Sequence, residues 1–170
     1  MRFLEHRRHS IRDGSGHLSQ HGVSLARRIG ASAGPFELTY TSPKPRAFET
    51  AIAMGYAVDE QLDVLAEWTD DLSDAADHGG FAAVGALVHG HGAAAKVARA
   101  YRRALLDIAR SLGEDQAALI VSHSGVVEGS VMACLPELDG IALGRGVGYC
   151  EGVRLTFEQD AFVAAAILRV

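Results

Sequence analysis

Short apolar runs of strand length alternate with segments of helical spacing along most of the chain. The run 117–121 is apolar throughout, which is typical of a central strand that helices cover on both faces. The helical spacing is clearest at 93–112, where apolar residues recur every three or four positions and most basic residues fall off that stripe. Further strands are predicted from residue 3 and at 36–41, 62–65, 151–157 and 162–168.

Capping residues mark where two of the helices begin. Ser19 is the expected N-cap of a first helix, which ends near Gly30. Ser42 is the expected cap of a second helix, with Pro43 at its first position, where no backbone donor is needed. A later helix follows Gly125 and ends near Leu135.

The middle of the chain has a different composition. Residues 67–77 are acidic and predict a solvated connector, and 78–92 predict a short helix with loose ends between glycine pairs. We therefore expect a short lid or insertion around 67–95. The segment 140–148 is rich in glycine and predicts a loop.

Strands that alternate with helices predict an α/β fold, a three-layer sandwich with a mostly parallel central sheet. The last two strands are separated by Gln159 and Asp160 and predict a closing hairpin. No repeat or linker divides the chain, so 1–170 is expected to form a single domain.

Composition narrows the classes of function. Apolar residues make up 48% and charged residues 22%, as in globular proteins, and the net charge of −5 argues against a general nucleic-acid binder. No apolar stretch approaches the roughly 20 residues that span a bilayer, and the first residues do not resemble a secretory signal. Cys134 and Cys150 are expected to be reduced thiols, and a cytoplasmic location follows as the default expectation.

Charged side chains gather where the predicted strands end. His9 follows the first strand after Arg7 and Arg8, Arg46 follows the second strand, and His123 follows the apolar strand before a helix begins. The carboxyl ends of parallel strands form one edge of a sheet, and a helix N-terminus there favours an anion. Because an arginine fork can bind two phosphate oxygens, this combination predicts a phosphate pocket.

These segments resemble the motifs of the histidine phosphatase superfamily, which includes the phosphoglycerate mutases. Arg8-His9-Ser10 is similar to its Arg-His-Gly motif, and Leu18-Ser19 with Gly22 to its "LT..G" helix start. The stretch 42–50, SPKPRAFET, is similar to "SP..RA.ET", and 122–125, SHSG, to "SHGG". The motifs occur in family order and span residues 8–125, and the short chain is similar to the small phosphohistidine phosphatases.

The resemblance implies a role for each matching residue. His9 is the expected nucleophile that forms a phosphohistidine, Arg8 and Arg46 hold the phosphoryl oxygens, and His123 contacts the transferring group. Leu65-Ala66-Glu67 is similar to a family "L.E" pattern that supplies the proton donor, so Glu67 is the first candidate. Asp70 and Asp71 stay open as alternatives. Ser10, Arg12 and Ser124 are expected to bind phosphate or substrate.

Two positions depart from the family pattern. Ser10 stands where the family has glycine, so it either strains a backbone that needs positive φ or adds a hydroxyl to the phosphate site. Arg7 is left outside the catalytic set because side chains alternate along a strand.

The function expected from these features is a metal-independent phosphatase without a cofactor. Its substrate is a phosphorylated small molecule or a phosphoprotein, with no nucleic-acid or membrane partner, and the oligomeric state stays open. One alternative is a non-catalytic phosphate-binding module on the same fold. Another is a metal site at His78, His89 and His91, which the spacing of zinc ligands disfavours.

Overall fold

A six-stranded sheet with the order β3-β2-β4-β1-β5-β6 forms the centre of the molecule. The structure is a computed structural model that describes residues 1–170. β1, β2, β3 and β4 run parallel, and β5 and β6 close the sheet as antiparallel strands. The mostly parallel sheet and the closing hairpin are thus confirmed. The strands are β1 Arg2–Arg8, β2 Leu38–Thr41, β3 Glu60–Gln61, β4 Ala117–Ser122, β5 Gly152–Glu158 and β6 Ala161–Leu168.

Helices cover both faces of this sheet and complete three layers. They are α1 Gln20–Gly30, α2 Pro45–Ala53, α3 Asp70–Val88, α4 Ala93–Ser111, α5 Val126–Cys134 and α6 Gly140–Leu143. α3, α4 and α5 bury the larger hydrophobic core, and α1 and α2 bury a smaller one on the opposite face. None of the helices is both long and apolar enough to cross a lipid bilayer.

β4 lies in the middle of the sheet, as its apolar sequence predicts. Ala118 and Ile120 belong to the larger core, and Leu119 and Val121 to the smaller one. All four side chains are fully buried. A strand covered on both faces holds its carboxyl end rigidly, and that end carries His123.

The predicted start of α2 is wrong by two residues. The helix begins at Pro45 with Lys44 as its N-cap, rather than at Pro43 after Ser42. Both prolines suit a first helical position, so the sequence does not separate them. The hydroxyl of Ser42 forms a hydrogen bond with His123 instead, 2.7 Å from its Nε2.

The predicted strand at 62–65 is also wrong. The chain forms only the two-residue strand β3 at the sheet edge and then a 3-10 helix, Asp63–Ala66. Leu65 is fully buried in the larger core. Its burial explains why an apolar pattern appears there without a strand.

The predicted acidic connector and short loose helix are two helical segments of α3, which meet at a sharp kink at Gly80, where the backbone is not helical. Leu72 and Ala76 are buried on the first segment, and Phe81 and Val84 on the second, so packing into the core sustains both segments. Gly80 has φ +64, and a Cβ there would lie 2.4 Å from the carbonyl oxygen of Gly144. The lid at 67–95 stays a prediction.

The predicted glycine-rich loop at 140–148 contains one short helix, α6, which Asp139 caps through its side chain. The segment that follows, 144–150, crosses towards the end of β1 and is called the 144–150 loop below. It ends at Cys150, which is buried with φ +59. Cys150 and Cys134 are both free thiols, as predicted.

Candidate functional site

The carboxyl ends of β1, β2 and β4 meet at one edge of the sheet and open into a pocket of about 210 Å³. Six of the eight predicted site residues line it, and Ser10 and Glu67 do not. Three further residues that the sequence did not assign to the chemistry line it as well. The lining residues are Arg8, His9, Arg12, Arg46, Trp68, Ser73, Asp77, His123 and Ser124.

His9 directly follows β1 and is held in one orientation. Its Nδ1 lies 2.7 Å from the carbonyl oxygen of Ser10, and because a carbonyl only accepts, Nδ1 carries the proton. Nε2 therefore keeps its lone pair and accepts a hydrogen bond from Arg46 Nε at 3.2 Å. The pKa of His9 is lowered to about 4, mainly by burial. Nearby arginines also lower it, and the hydrogen bond to Ser10 opposes them. The ring is neutral at pH 7.

His123 faces His9 from the end of β4, with 5.3 Å between the ring centroids. Its Nε2 bonds with the Ser42 hydroxyl, and its buried Nδ1 has no hydrogen-bond partner within the chain. Burial lowers the pKa of His123 to about 2, with a further contribution from the charge of Arg46. Trp68 packs against the ring at 5.0 Å between centroids.

Arg8 reaches the pocket from the last position of β1. One amino group donates to the Val147 carbonyl at 3.0 Å and lies 3.6 Å from Asp77 Oδ1. The guanidinium carbon stands 4.7 Å from the centre of the Tyr149 ring. These contacts hold the charge at the wall of the pocket, next to His9.

Arg7 points to the other face of β1, as the alternation of strand side chains predicts. Its Nε donates to Glu5 at 2.6 Å, and an amino group donates to the Cys150 carbonyl at 2.5 Å. Arg7 therefore anchors the end of the 144–150 loop and lies outside the pocket.

Arg46 and Arg12 bring two more positive charges to the pocket. Arg46 lies in the first turn of α2 and is half-buried. Burial lowers the pKa of Arg46, and the charges of Arg12 and Arg8 lower it further. All three guanidinium groups line the same pocket, where they can act on one anion.

Ser10 lies behind the pocket, and both expectations for it are wrong. Its φ is not positive, so the serine imposes no such strain. Its hydroxyl donates to the Gly22 carbonyl at 2.7 Å and is not directed at the phosphate site. The Ser10 amide donates to Thr50 Oγ1 at 2.9 Å. Ser10 therefore joins β1 to α1 and α2 beneath His9.

The side chain of Glu67 is exposed and does not line the pocket, so the geometry does not support it as the proton donor. Its backbone carbonyl accepts a hydrogen bond from the Tyr101 hydroxyl. Asp70 and Asp71 do not line the pocket either. The carboxyl group in the pocket belongs to Asp77, which accepts a hydrogen bond from Ser124 Oγ at 2.7 Å.

The sequence indicates where Asp77 lies, but the prediction of a solvated connector over 67–77 missed it. Ser73 and Asp77 are four residues apart, so they share one face of a helix that starts at Asp70. Leu72 and Ala76 occupy the neighbouring buried face. A helix predicted from Asp70 up to the glycine pair would have placed Asp77 on the same face as Ser73.

Two buried carboxylates hold the 144–150 loop against the pocket. Glu128 accepts from the Val147 and Gly125 amides at 2.7 and 2.8 Å, which joins the loop to the start of α5. Burial raises the pKa of Glu128. Glu151 binds Arg145 through two contacts of 2.7 Å and Arg169 through one of 2.8 Å.

The histidines of the predicted metal site lie apart from the pocket. His78 pairs with Asp74 on the exposed side of α3, and His89 contacts the Met132 carbonyl. No group of three or more histidine, cysteine or acidic side chains gathers where it could hold a metal ion. Nothing in this arrangement supports the interpretation of His78, His89 and His91 as a metal site.

Several solved structures share this fold. No protein-family model matches the sequence, and no curated protein matches it. A phosphoserine phosphatase from Entamoeba histolytica, in complex with 3-phosphoglyceric acid, superposes with a TM-score of 0.70 at 15% identity, covering 100% of this chain and 98% of that chain. YhfR of Bacillus stearothermophilus superposes with a TM-score of 0.68 at 20% identity, covering 98% of this chain and 96% of that chain.

A third structure extends the comparison to a mycobacterial enzyme. Glucosyl-3-phosphoglycerate phosphatase in complex with VO3 gives a TM-score of 0.71 at 22% identity and covers 99% of each chain. These similarities extend over nearly the whole chain, and at such identities they show the fold. The chain has the phosphoglycerate mutase-like α/β fold that these structures share.

Proposed function

We propose that this protein is a phosphatase that hydrolyses a phosphomonoester through a phosphohistidine on His9. The observation that carries the proposal is the orientation of His9. Its Nδ1 proton is directed to the Ser10 carbonyl, so the Nε2 lone pair points into a pocket that contains three guanidinium groups. A neutral imidazole with a free lone pair is the form that attacks phosphorus.

In the first step, His9 Nε2 forms a bond to phosphorus while the bond from phosphorus to the ester oxygen breaks. Arg8 and Arg46 hold the phosphoryl oxygens and offset the charge on them, which is the main contribution a protein makes to phosphoryl transfer. In the free site, the Arg46 Nε–H donates a hydrogen bond to His9. When substrate binds, this N–H turns to a phosphoryl oxygen. His123, which lines the pocket opposite His9, contacts the same group.

Asp77 is the proposed proton donor for the leaving oxygen. It is the carboxyl group among the lining residues, and Ser124 fixes its position by hydrogen bonding. In the second step, water attacks the phosphorus of phospho-His9 and gives its proton to the Asp77 carboxylate. The phosphorus–nitrogen bond breaks, inorganic phosphate leaves, and both residues return to their starting forms.

Solved structures with this fold support the reaction class. Two of those described above carry the name phosphatase, one with phosphoserine and one with glucosyl-3-phosphoglycerate in its name. Those names suggest phosphorylated small molecules as substrates for this chain too. The proposed reaction uses no metal and no cofactor.

The non-catalytic phosphate-binding module is now less well supported. It rested on Ser10 and on the uncertain proton donor. Ser10 has an ordinary backbone conformation, and Asp77 supplies a carboxyl group in the pocket.

Turnover of p-nitrophenyl phosphate tests the proposal. We expect the wild-type protein to release p-nitrophenol with and without a chelator, and His9→Ala to abolish the release. Quenching in alkaline SDS after mixing with ³²P-labelled substrate should give an alkali-stable, acid-labile phosphoprotein in the wild type only. The control is His21→Ala, an exposed histidine in α1. Turnover by His9→Ala would exclude His9 as the nucleophile, and a wild type that binds phosphate without turnover would favour the binding module.

A further inference from the structure

Arg12 is a cation in the pocket that has no partner within the protein. Arg8 contacts the Val147 carbonyl and lies near Asp77, and Arg46 donates to His9. The Arg12 side chain, in contrast, forms no hydrogen bond and no ion pair, although it lines the pocket and is exposed at its mouth. Its charge is therefore available to a ligand.

The backbone that carries Arg12 is fixed, so the free side chain does not belong to a loose loop. Arg12 forms a β-bridge with Leu18, and the Asp13 amide donates to the His17 carbonyl at 2.8 Å. The Leu18 amide donates to Glu49 of α2 at 2.7 Å, which joins this turn to the helix of Arg46. The position of Arg12 relative to Arg46 is thus set by the fold.

Arg8 and Arg46 are the arginines next to His9. Arg8 directly precedes it in the chain, and Arg46 donates a hydrogen bond to its Nε2. These two side chains are therefore placed to hold the phosphoryl group that His9 attacks, and Arg12 is left for another anion.

We propose that Arg12 binds a second anionic group of the substrate, a carboxylate or a second phosphate a few bonds from the ester. This inference rests on the proposed phosphatase function and names the substrate class. The pocket of about 210 Å³ has Trp68 and no aliphatic side chain among its lining residues, which suits a small polar phosphomonoester. Arginine is the side chain best suited to a carboxylate or phosphate, because its planar fork makes two hydrogen bonds.

Pairs of substrates that differ in one anionic group test the inference. O-phosphoserine is compared with O-phosphoethanolamine, which lacks only the carboxylate, and fructose 1,6-bisphosphate with fructose 6-phosphate. We expect the substrate with the second anion to have a kcat/KM about tenfold higher in at least one pair, as one charged hydrogen bond allows. The pair that discriminates identifies the anion as carboxylate or phosphate.

Arg12→Gln should bring that ratio close to one, since glutamine keeps a polar side chain without the charge. The matched control is Lys44→Gln. Lys44 is an exposed cation at the start of α2 that forms no ion pair, and its removal should keep the wild-type ratio of the two kcat/KM values.

Three results would overturn the assignment of Arg12. Equal losses on both members of a pair in Arg12→Gln would mean that Arg12 binds the transferring phosphoryl group. A ratio that collapses in Lys44→Gln instead would move the second subsite to Lys44. Wild-type turnover without discrimination in either pair would overturn the substrate class while the phosphatase function stands. No turnover of any of these substrates or of p-nitrophenyl phosphate would instead overturn the proposed function itself.

Discussion

Arg46 donates a hydrogen bond from its Nε to the Nε2 of His9 across 3.2 Å. The contact occupies the lone pair that the proposed reaction uses, and the positive charge helps to keep the ring unprotonated. The same guanidinium therefore protects the nucleophile in the free protein and can bind the phosphoryl group when substrate arrives. Both roles depend on the first turn of α2, which follows the end of β2.

Removal of Arg46 should slow the reaction and raise the pKa of His9. Arg46→Ala is expected to lower kcat/KM for p-nitrophenyl phosphate by about 10²–10³, the usual effect of losing one donor to a charged transition state. Arg46→Lys should recover only part of it, because an ammonium lacks the planar fork. NMR titration of His9 should give a pKa above the value of about 4 in the wild type. Arg27→Ala, exposed at the end of α1, is the control. An unchanged kcat/KM in Arg46→Ala would contradict the role.

The loss of activity in Asp77→Asn should depend on the leaving group of the substrate. A proton donor matters most when the leaving oxygen is basic, so kcat for an alkyl phosphate should fall by about 10²–10⁴, and kcat for p-nitrophenyl phosphate much less. Glu67→Gln is the matched control, because its side chain is exposed and outside the pocket. The opposite pattern, with a large loss in Glu67→Gln and none in Asp77→Asn, would restore the candidate that the sequence favours.

Much of the site could be predicted because its residues stand at the ends of strands. His9 and His123 directly follow β1 and β4, and parallel strands bring their carboxyl ends to one edge whatever the rest of the chain does. Arg46 could be placed for a similar reason, since it lies one short turn after β2. The alternation of side chains along a strand and the order of strands and helices can be read directly from the sequence.

The missed residues depend on contacts between distant segments. Asp77 reaches the pocket because the first segment of α3 packs Leu72 and Ala76 into the core, although its acidic sequence indicates a solvated connector. Ser42 leaves its expected capping position for His123, which is 81 residues away. Such pairings are set by the tertiary structure.

Buried neutral histidines should make stability depend on pH. Burial lowers the pKa of His6 to about 3, of His9 to about 4 and of His123 to about 2, from an ordinary value of 6.5. Below pH 6.5 the unfolded chain binds protons that the folded chain excludes. The stability from each group is therefore complete above pH 6.5 and is lost as pH falls towards the folded pKa.

Urea denaturation at pH 7.5, 6.5, 5.5 and 4.5 measures this effect. We expect the free energy of unfolding to fall with decreasing pH by up to about 1.4 kcal/mol per pH unit for each such histidine. His6→Gln should reduce the slope of this free energy against pH by the contribution of one histidine. His91→Gln, at an exposed position, should keep the wild-type slope. A wild-type stability that is flat between pH 7.5 and 4.5 would contradict the burial of neutral rings.

Ser10→Ala should affect stability more than catalysis. The substitution removes the hydrogen bond from the hydroxyl to the Gly22 carbonyl, at a cost of about 0.5–1.5 kcal/mol. The Ser10 carbonyl that orients His9 is retained, so kcat/KM should change little. Denaturant unfolding and steady-state kinetics on the same preparation separate the two effects. A large loss of kcat/KM without a loss of stability would assign the hydroxyl to the reaction instead.

Glu151→Gln should loosen the loop that supports Arg8. The buried carboxylate accepts from the Gly148 amide at 2.7 Å and binds both Arg145 and Arg169. Burial alone would raise the pKa of Glu151, but hydrogen bonds from these groups lower it to about 2. Its contribution to stability is therefore complete above the ordinary value of 4.5 and is lost as pH falls towards 2.

Glutamine keeps the shape of Glu151 but loses the charge. We therefore expect the free energy of unfolding at pH 7 to fall by about 2 kcal/mol, which is in the range for hydrogen bonds to a charged group. The Val147 carbonyl that accepts from Arg8 lies in the same loop, so KM for p-nitrophenyl phosphate should rise as well. Glu158→Gln, a partly exposed carboxylate at the end of β5, is the control. If Glu151→Gln loses stability but keeps the wild-type KM, the loop does not position Arg8, because the anchor and the guanidinium would then act independently.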